Sequence, residues 1–253
     1  MFSNYTTILK KELHSYFVSP VFYGIIVVFL ILSGYFFYTD LSLYNMINVR
    51  GAANPIEGFF RRYFGDLRFL FMLLMPLITM KLYAEEKKLG TFELLTVSPT
   101  KDIDILLSKF TAGLLIFSLL LFLTIPNICI LAWVWNIHAL KPLLPAILVG
   151  YAGLFFFGCS LLSCGLFVSS LTENQSVAGM ITLGIFVFFW FITWNEVVLD
   201  NFYLQLLMHV SLFDRMQGFF QGILSLNDLF YLLLFTLFFN LLTYYIQCSR
   251  MWR

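Results

Sequence analysis

Charge is the scarcest commodity in this sequence. Only 11% of its 253 residues are Asp, Glu, Lys or Arg, where a soluble domain carries about 25%. With 60% of the residues hydrophobic, a water-soluble fold of this length could not hide its apolar surface, because much of any small protein's surface stays exposed. The solvent is lipid. A formal net charge of +1 argues against nucleic acid as a partner, since phosphate binding needs a basic field. Cysteine is also rare. Cys129, Cys159, Cys164 and Cys248 fall inside or at the edge of apolar runs without metal-ligand spacing, as small packing residues do. Catalytic signatures are missing. His14, His138 and His209 lie far apart at expected membrane edges, and there is no H-E-x-x-H helix and no G-x-S-x-G elbow. The sequence contains no Gly-Lys dipeptide, so no P-loop can bind ATP here. The chain is expected to have no catalytic residue, no metal site and no cofactor of its own.

What remains is long apolar runs, and the gaps between charges locate the spans. Residues 13–39, 110–140, 142–172, 174–195 and 229–249 contain no Asp, Glu, Lys or Arg, and each exceeds the roughly 20 residues a helix needs to cross the hydrocarbon core. Between Arg68 and Lys81 lies a shorter run, roughly 18 Å of helix against a core of about 30 Å. It spans if Lys81 snorkels and Arg68 reaches a headgroup, water or a partner. The expectation is an all-α membrane protein, a single domain over 1–253, with six transmembrane helices at about 21–39, 65–82, 105–135, 143–170, 176–198 and 229–248. Placing both termini inside puts nine Lys and Arg on the inner side and six on the outer, which favours that orientation under the positive-inside rule.

The stretch before the first span, residues 1–20, interleaves Ile8, Leu9, Leu13, Tyr16 and Phe17 with Lys10, Lys11 and Glu12. It reads as an amphipathic helix in the inner interface, broken at Ser19-Pro20. At the outer end of the second span, Arg62 and Asp66 sit four apart and can pair on one helix face. With Arg68 they mark either an interfacial ion pair or a polar patch on a pathway or outer interface. Pro126 is expected to kink the third span. The fourth is rich in small residues, with Ala146 and Gly150 at the spacing that lets helices approach closely, within the subunit or across a dimer. Residues 199–228 are too apolar for a solvated loop and too interrupted for a span, and fit short re-entrant or interfacial helices on the outer side.

One connector concentrates the charge. In LYAEEKKLGTFELLTVSPTKDID, residues 82–104, Glu85, Glu86, Lys87 and Lys88 extend the second span into the cytosol. Gly90 is placed to end that helix in the left-handed conformation. Thr91 is placed to cap a short helix, FELLTV, with Glu93 in its first turn. Ser98-Pro99 closes it, and Thr100 is placed to cap the third span above Asp102 and Asp104. Phe92, Leu94, Leu95 and Val97 would either lie on lipid or fill a groove on a partner.

The pattern Glu85, Glu86, Gly90, Thr91, Glu93, Leu94, Leu95 and Pro99 closely resembles the first cytosolic loop of ABC type-2 permeases, where E-E-x-x-x-G-T-x-E-L-L-x-x-x-P precedes the third span. The N-terminal KKELHSYFVSPVFY resembles the family's interfacial helix. Gly222, Asp228 and Tyr231 match a phrase before the last span of its NosY/GldF-like branch, and TENQ, with Glu173 and Asn174, resembles its second cytosolic loop. The resemblance implies that residues 84–99 form a coupling helix docking on a separate ATP-binding subunit through Glu85 to Pro99, with Phe92 among the contacts and Glu173 and Asn174 beside them. It implies that ATP and Mg are bound by that partner, that a second permease subunit pairs with this one as homo- or heterodimer, and that a periplasmic auxiliary protein can attach. It also implies export or conformational work across a bacterial inner membrane, with both termini cytoplasmic. A non-transporting mechanical or scaffolding subunit, of the gliding-motility or periplasmic-enzyme-maturation type, stays open beside transport. A stand-alone ion-driven transporter is disfavoured, because no 3+3 repeat and almost no midspan charge is present.

Overall fold

A computed structural model describes residues 2–47, 54–90, 101–135, 141–194 and 211–250. All regular structure among them is helical, and six helical stretches are long and apolar enough to cross a membrane. The architecture is the all-α membrane fold expected from the charge gaps. Helix α1 (Phe2–Val18) leads into α2 (Pro20–Ile47), the first span. The second span comprises a π-helical turn at Ile56–Phe60, α3 (Arg61–Thr79) and the short α4 (Ala84–Lys88). The third is α5 (Asp102–Phe122) followed by α6 (Ile125–Val134). The fourth, fifth and sixth are α7 (Leu144–Leu171), α8 (Gln175–Trp194) and α10 (Leu226–Arg250), with α9 (Gln217–Phe220) before the last.

Several ends differ from the sequence reading, for local reasons. The first span runs outward to Ile47 because Asp40 and Tyr44, the polar residues that should have ended it, are buried against the rest of the bundle. The third breaks at Leu123–Thr124, two residues ahead of Pro126, which takes an early position in α6 where its missing N–H is harmless. The Thr124 hydroxyl secures the break, bonding the Leu121 carbonyl at 2.7 Å and the Tyr151 hydroxyl at 2.9 Å. Lys101, rather than Thr100, holds the N-cap position of α5. Thr100 lies outside the described residues.

The second and fourth spans form the core, with 67% and 78% of their apolar windows buried, against 11% for the sixth. Small residues on α7 allow this. A Cβ at Gly158 would sit 2.1 Å from the Phe117 ring, and one at Gly150 2.3 Å from Phe64. The small-residue spacing therefore serves packing inside the subunit. Helix α1 turns Ile8, Glu12 and Tyr16 inward at intervals of four and leaves Phe17 and Val18 exposed, as an interfacial helix does. It is also docked on the bundle: Tyr5 hydrogen-bonds Thr111 at 2.9 Å, and the Tyr16 hydroxyl donates to the Ile78 carbonyl at 2.6 Å.

Leu212, Phe213, Met216, Phe219 and Phe220 are buried, so residues 211–222 plug one end of the bundle. Gly222 makes the turn out of this plug at φ +78, and its missing side chain makes room for Ala146, whose Cβ would lie 2.6 Å away. Asp228 accepts from Arg215 at 3.0 Å, and the Arg215 guanidinium stands 5.2 Å from the Tyr231 ring. The three residues of the outer phrase thus close the plug onto the last span.

Candidate functional site

The second span does not continue as one helix into the connector. Pro76 removes a donor from its hydrogen-bond ladder, and after Thr79 the chain makes a turn over residues 80–83 before α4 begins. A buried turn exposes backbone groups that must find partners. Here they, with the preceding Ile78 carbonyl and the Tyr83 hydroxyl, find them on four other helices. The Tyr83 and Ala84 N–H groups donate to the Ser169 hydroxyl oxygen of α7 at 3.2 and 3.1 Å, so a residue of the fourth span caps α4. The Leu82 carbonyl accepts from Lys109 of α5. The Tyr83 hydroxyl accepts from the Gln247 amide of α10. The Ile78 carbonyl, one turn earlier, takes the Tyr16 bond from α1.

Charge completes the knot. Lys109 Nζ lies 2.6 Å from Glu12 of α1 and 2.6 Å from Glu86 of α4, and it stands 5.0 Å from the Tyr83 ring centroid. Lys11 reaches the other oxygen of Glu86 at 2.6 Å. The Lys109 side chain is fully buried and those of Glu12 and Glu86 nearly so, while Lys11 is half-exposed. Two lysines against two carboxylates leave no net charge, the condition under which buried ions are tolerated. Burial nevertheless pushes the Glu12 carboxyl above its usual range; Lys109 opposes that shift and Glu86 adds to it. Beside the knot, Lys81 donates to Ser19 at 2.8 Å, tying the second span to the joint between α1 and α2. A cavity of about 200 Å³ lies against Lys11, Glu12, Ser15, Lys81, Glu85 and Glu86.

Helix α4 ends at an exposed Leu89, and Gly90 follows at φ +69, its N–H bonded to the Lys87 carbonyl at 3.1 Å. This is the left-handed helix stop read from the sequence. Thr91, Phe92, Glu93, Leu94, Leu95 and Pro99 lie outside the described residues, which resume at Lys101. Of the expected docking residues, Glu86 faces inward onto Lys109 and Lys11, whereas Glu85 borders the open cavity. Glu173 and Asn174 are exposed in the short turn between α7 and α8, where the Asn174 side chain accepts from the Ser176 N–H at 3.1 Å. Lys87 bonds the Ser170 carbonyl and brings that turn beside α4. The two connecting segments therefore share one face of the bundle.

For Arg62, Asp66 and Arg68 the sequence left an ion pair and a polar patch as alternatives. Arg62 and Asp66 do not form an ion pair; the four ion pairs among the described residues involve other partners. Both line a cavity of about 380 Å³ with Asp40, Arg61, Arg68 and Trp190. Arg68 instead donates to the Phe213 carbonyl at 2.5 Å and stands 5.4 Å from the rings of Phe213 and Phe220. Sequence reasoning missed Glu12, Lys11 and Lys109 as a unit, and Asp40 altogether. The available signal was position: Lys109 and Asp40 are the charges that close two of the longest gaps, where a side chain must either reach out or find a partner inside.

Residues 6–248, nearly the whole chain, match the family described as "ABC-2 family transporter protein". No curated protein matches the chain.

Proposed function

The chain belongs to the ABC-2 family of transporter membrane proteins, and from that premise we propose that it is the permease subunit of an ATP-driven complex in a bacterial inner membrane, of the NosY/GldF-like branch. Its ATPase is a separate subunit that binds ATP and Mg; this chain supplies the membrane pathway or lever and performs no chemistry itself. A second permease subunit completes the membrane assembly. The inner face carries α1, α4, the α7–α8 turn and both chain ends, with cytoplasmic termini.

The observation that carries this reading is the knot at Lys109. The described residues stop at the left-handed Gly90 and resume with α5, and one buried lysine of α5, Lys109, holds Glu86 and the Leu82 carbonyl on the other side of the connector. Force applied to that segment by a docked ATPase passes into the second span, the third span and α1 together. A free loop on flexible stumps would dissipate it. In this reading Glu85, Thr91, Phe92, Glu93, Leu94, Leu95 and Pro99 form the docking surface, with Glu173 and Asn174 beside it, while Glu86 braces the joint from behind.

Two substitutions test the docking surface. Proline cannot adopt the φ of +69 that Gly90 holds, so Gly90→Pro redirects the segment, and Glu93→Arg inverts its charge. Each is expected to lower the amount of ATPase that co-purifies while membrane insertion is unchanged. Undiminished ATPase with both variants contradicts the docking role.

A further inference from the structure

The cavity at the outer end of the second span has a lining of mixed sign and two buried polar atoms without partners. Asp40 is 4% exposed, yet its Oδ2 has no hydrogen-bond partner; neither does the buried Nε of Arg68. Both side chains line the cavity, together with Asp66 and Arg62. Leaving a buried polar atom unmatched is costly, and these two make opposite demands. The carboxylate oxygen needs a donor or cation, and the guanidinium N–H needs an acceptor or anion. A simple anion would answer Arg68 and leave Asp40 stranded; a simple cation would do the reverse.

Depth narrows the ligand. Asp40 stands 21 residues from Ser19 along α2, an unbroken helix that begins beside the knot. That interval corresponds to about 30 Å of helix, the thickness of the hydrocarbon core. The cavity therefore lies where hydrocarbon meets the outer headgroups, the level at which a lipid places its phosphate. Trp190 on its wall is a residue type that concentrates there. The arginines offer donors to phosphate oxygens, and the carboxylates offer an ammonium its counter-charge.

We infer that this cavity is a binding site for a zwitterion carrying an ammonium beside a phosphate, the chemistry of a phosphoethanolamine headgroup, supplied either by an outer-leaflet lipid or by a water-soluble phosphoamine. The site stands independently of ATPase docking, being formed by α2, α3 and α8 at the opposite end of the bundle.

The test uses the full chain, purified in detergent and stripped of co-purifying lipid. Retention of phosphatidylethanolamine, phosphatidylglycerol of the same chain length, and soluble glycerophosphoethanolamine is read by native mass spectrometry. Phosphatidylethanolamine is expected to be retained several-fold better than phosphatidylglycerol. Asp40→Asn should abolish that preference, and Asp40→Glu should keep part of it. Arg62→Gln, on the exposed rim, should weaken retention of both lipids. Competition by glycerophosphoethanolamine at concentrations similar to the lipid would support the site and assign a soluble source; failure to compete, with the lipid preference intact, would support the site and assign the lipid. Equal retention of the two lipids by the unmodified protein overturns the proposal, as does an Asp40→Asn protein that is monodisperse and keeps the preference.

Discussion

Lys109 shows what a single residue does in this protein. It holds two carboxylates from different helices and a backbone carbonyl of a turn. Removing one partner of a buried ion pair costs about 3–5 kcal/mol, because the remaining charges lose their counter-ion, whereas replacing all the charged members is much milder. Lys109→Met should therefore lower the thermal unfolding midpoint in detergent substantially, and the triple change Glu12→Gln, Glu86→Gln, Lys109→Met should recover most of the loss. A triple variant no better than Lys109→Met would mean that the charges are not the source of the stability. Glu12→Gln alone should cost less, about 1 kcal/mol, as for loss of one hydrogen bond, since Lys109 keeps Glu86. The sign with pH follows from the direction of its shift. A carboxyl raised above its ordinary value by burial contributes stability that is present below that ordinary value and lost as pH rises through the folded one. The unmodified protein should accordingly lose more stability than Glu12→Gln as pH is raised from about 4 through the carboxylate range. Parallel curves for the two would count against the upward shift of the buried Glu12 carboxyl.

At the scale of elements, the six spans were legible because charge is excluded from hydrocarbon, and that exclusion acts on sequence directly. Their ends were not, because an end is decided by what it meets. Asp40 looked like the end of the first span until the bundle buried it, and the third span breaks before Pro126, where Thr124 finds Tyr151. The Gly90 stop was legible because it depends on one residue's backbone. The knot was not, because Glu12 and Lys109 are separated by 97 residues and Lys109 and Leu82 by 27. Packing shows the same contrast. Gly158 and Gly184 are indistinguishable by sequence, yet a Cβ at the first meets Phe117 at 2.1 Å and one at the second meets nothing within 4 Å. Gly158→Ala should destabilise by about 1–3 kcal/mol through overpacking, while Gly184→Ala should be neutral or stabilising by up to about 1 kcal/mol from helix propensity. Thermal aggregation of the two proteins in detergent compares them; equal midpoints would contradict the close approach of the third and fourth spans.

For the whole molecule, the arrangement is polarised. One end of the bundle gathers α1, the α4 stump, the α7–α8 turn and the end of α10 around one neutralised charge cluster, while the opposite end is plugged by residues 211–222 and bordered by an incompletely paired polar cavity. An ATP-driven subunit needs such a division, since a ligand at one face shifts the membrane conformation only through its differential affinity for two states. The central claim is that the connector at 82–104 is held by a separate ATPase. Its most direct test is to solubilise the tagged protein gently from its native membrane, with and without cross-linking through a cysteine introduced at Leu94, and to identify what accompanies it. The account predicts a stoichiometric subunit carrying a P-loop, cross-linked through that position. Absence of any such ATPase, even after cross-linking, would contradict it.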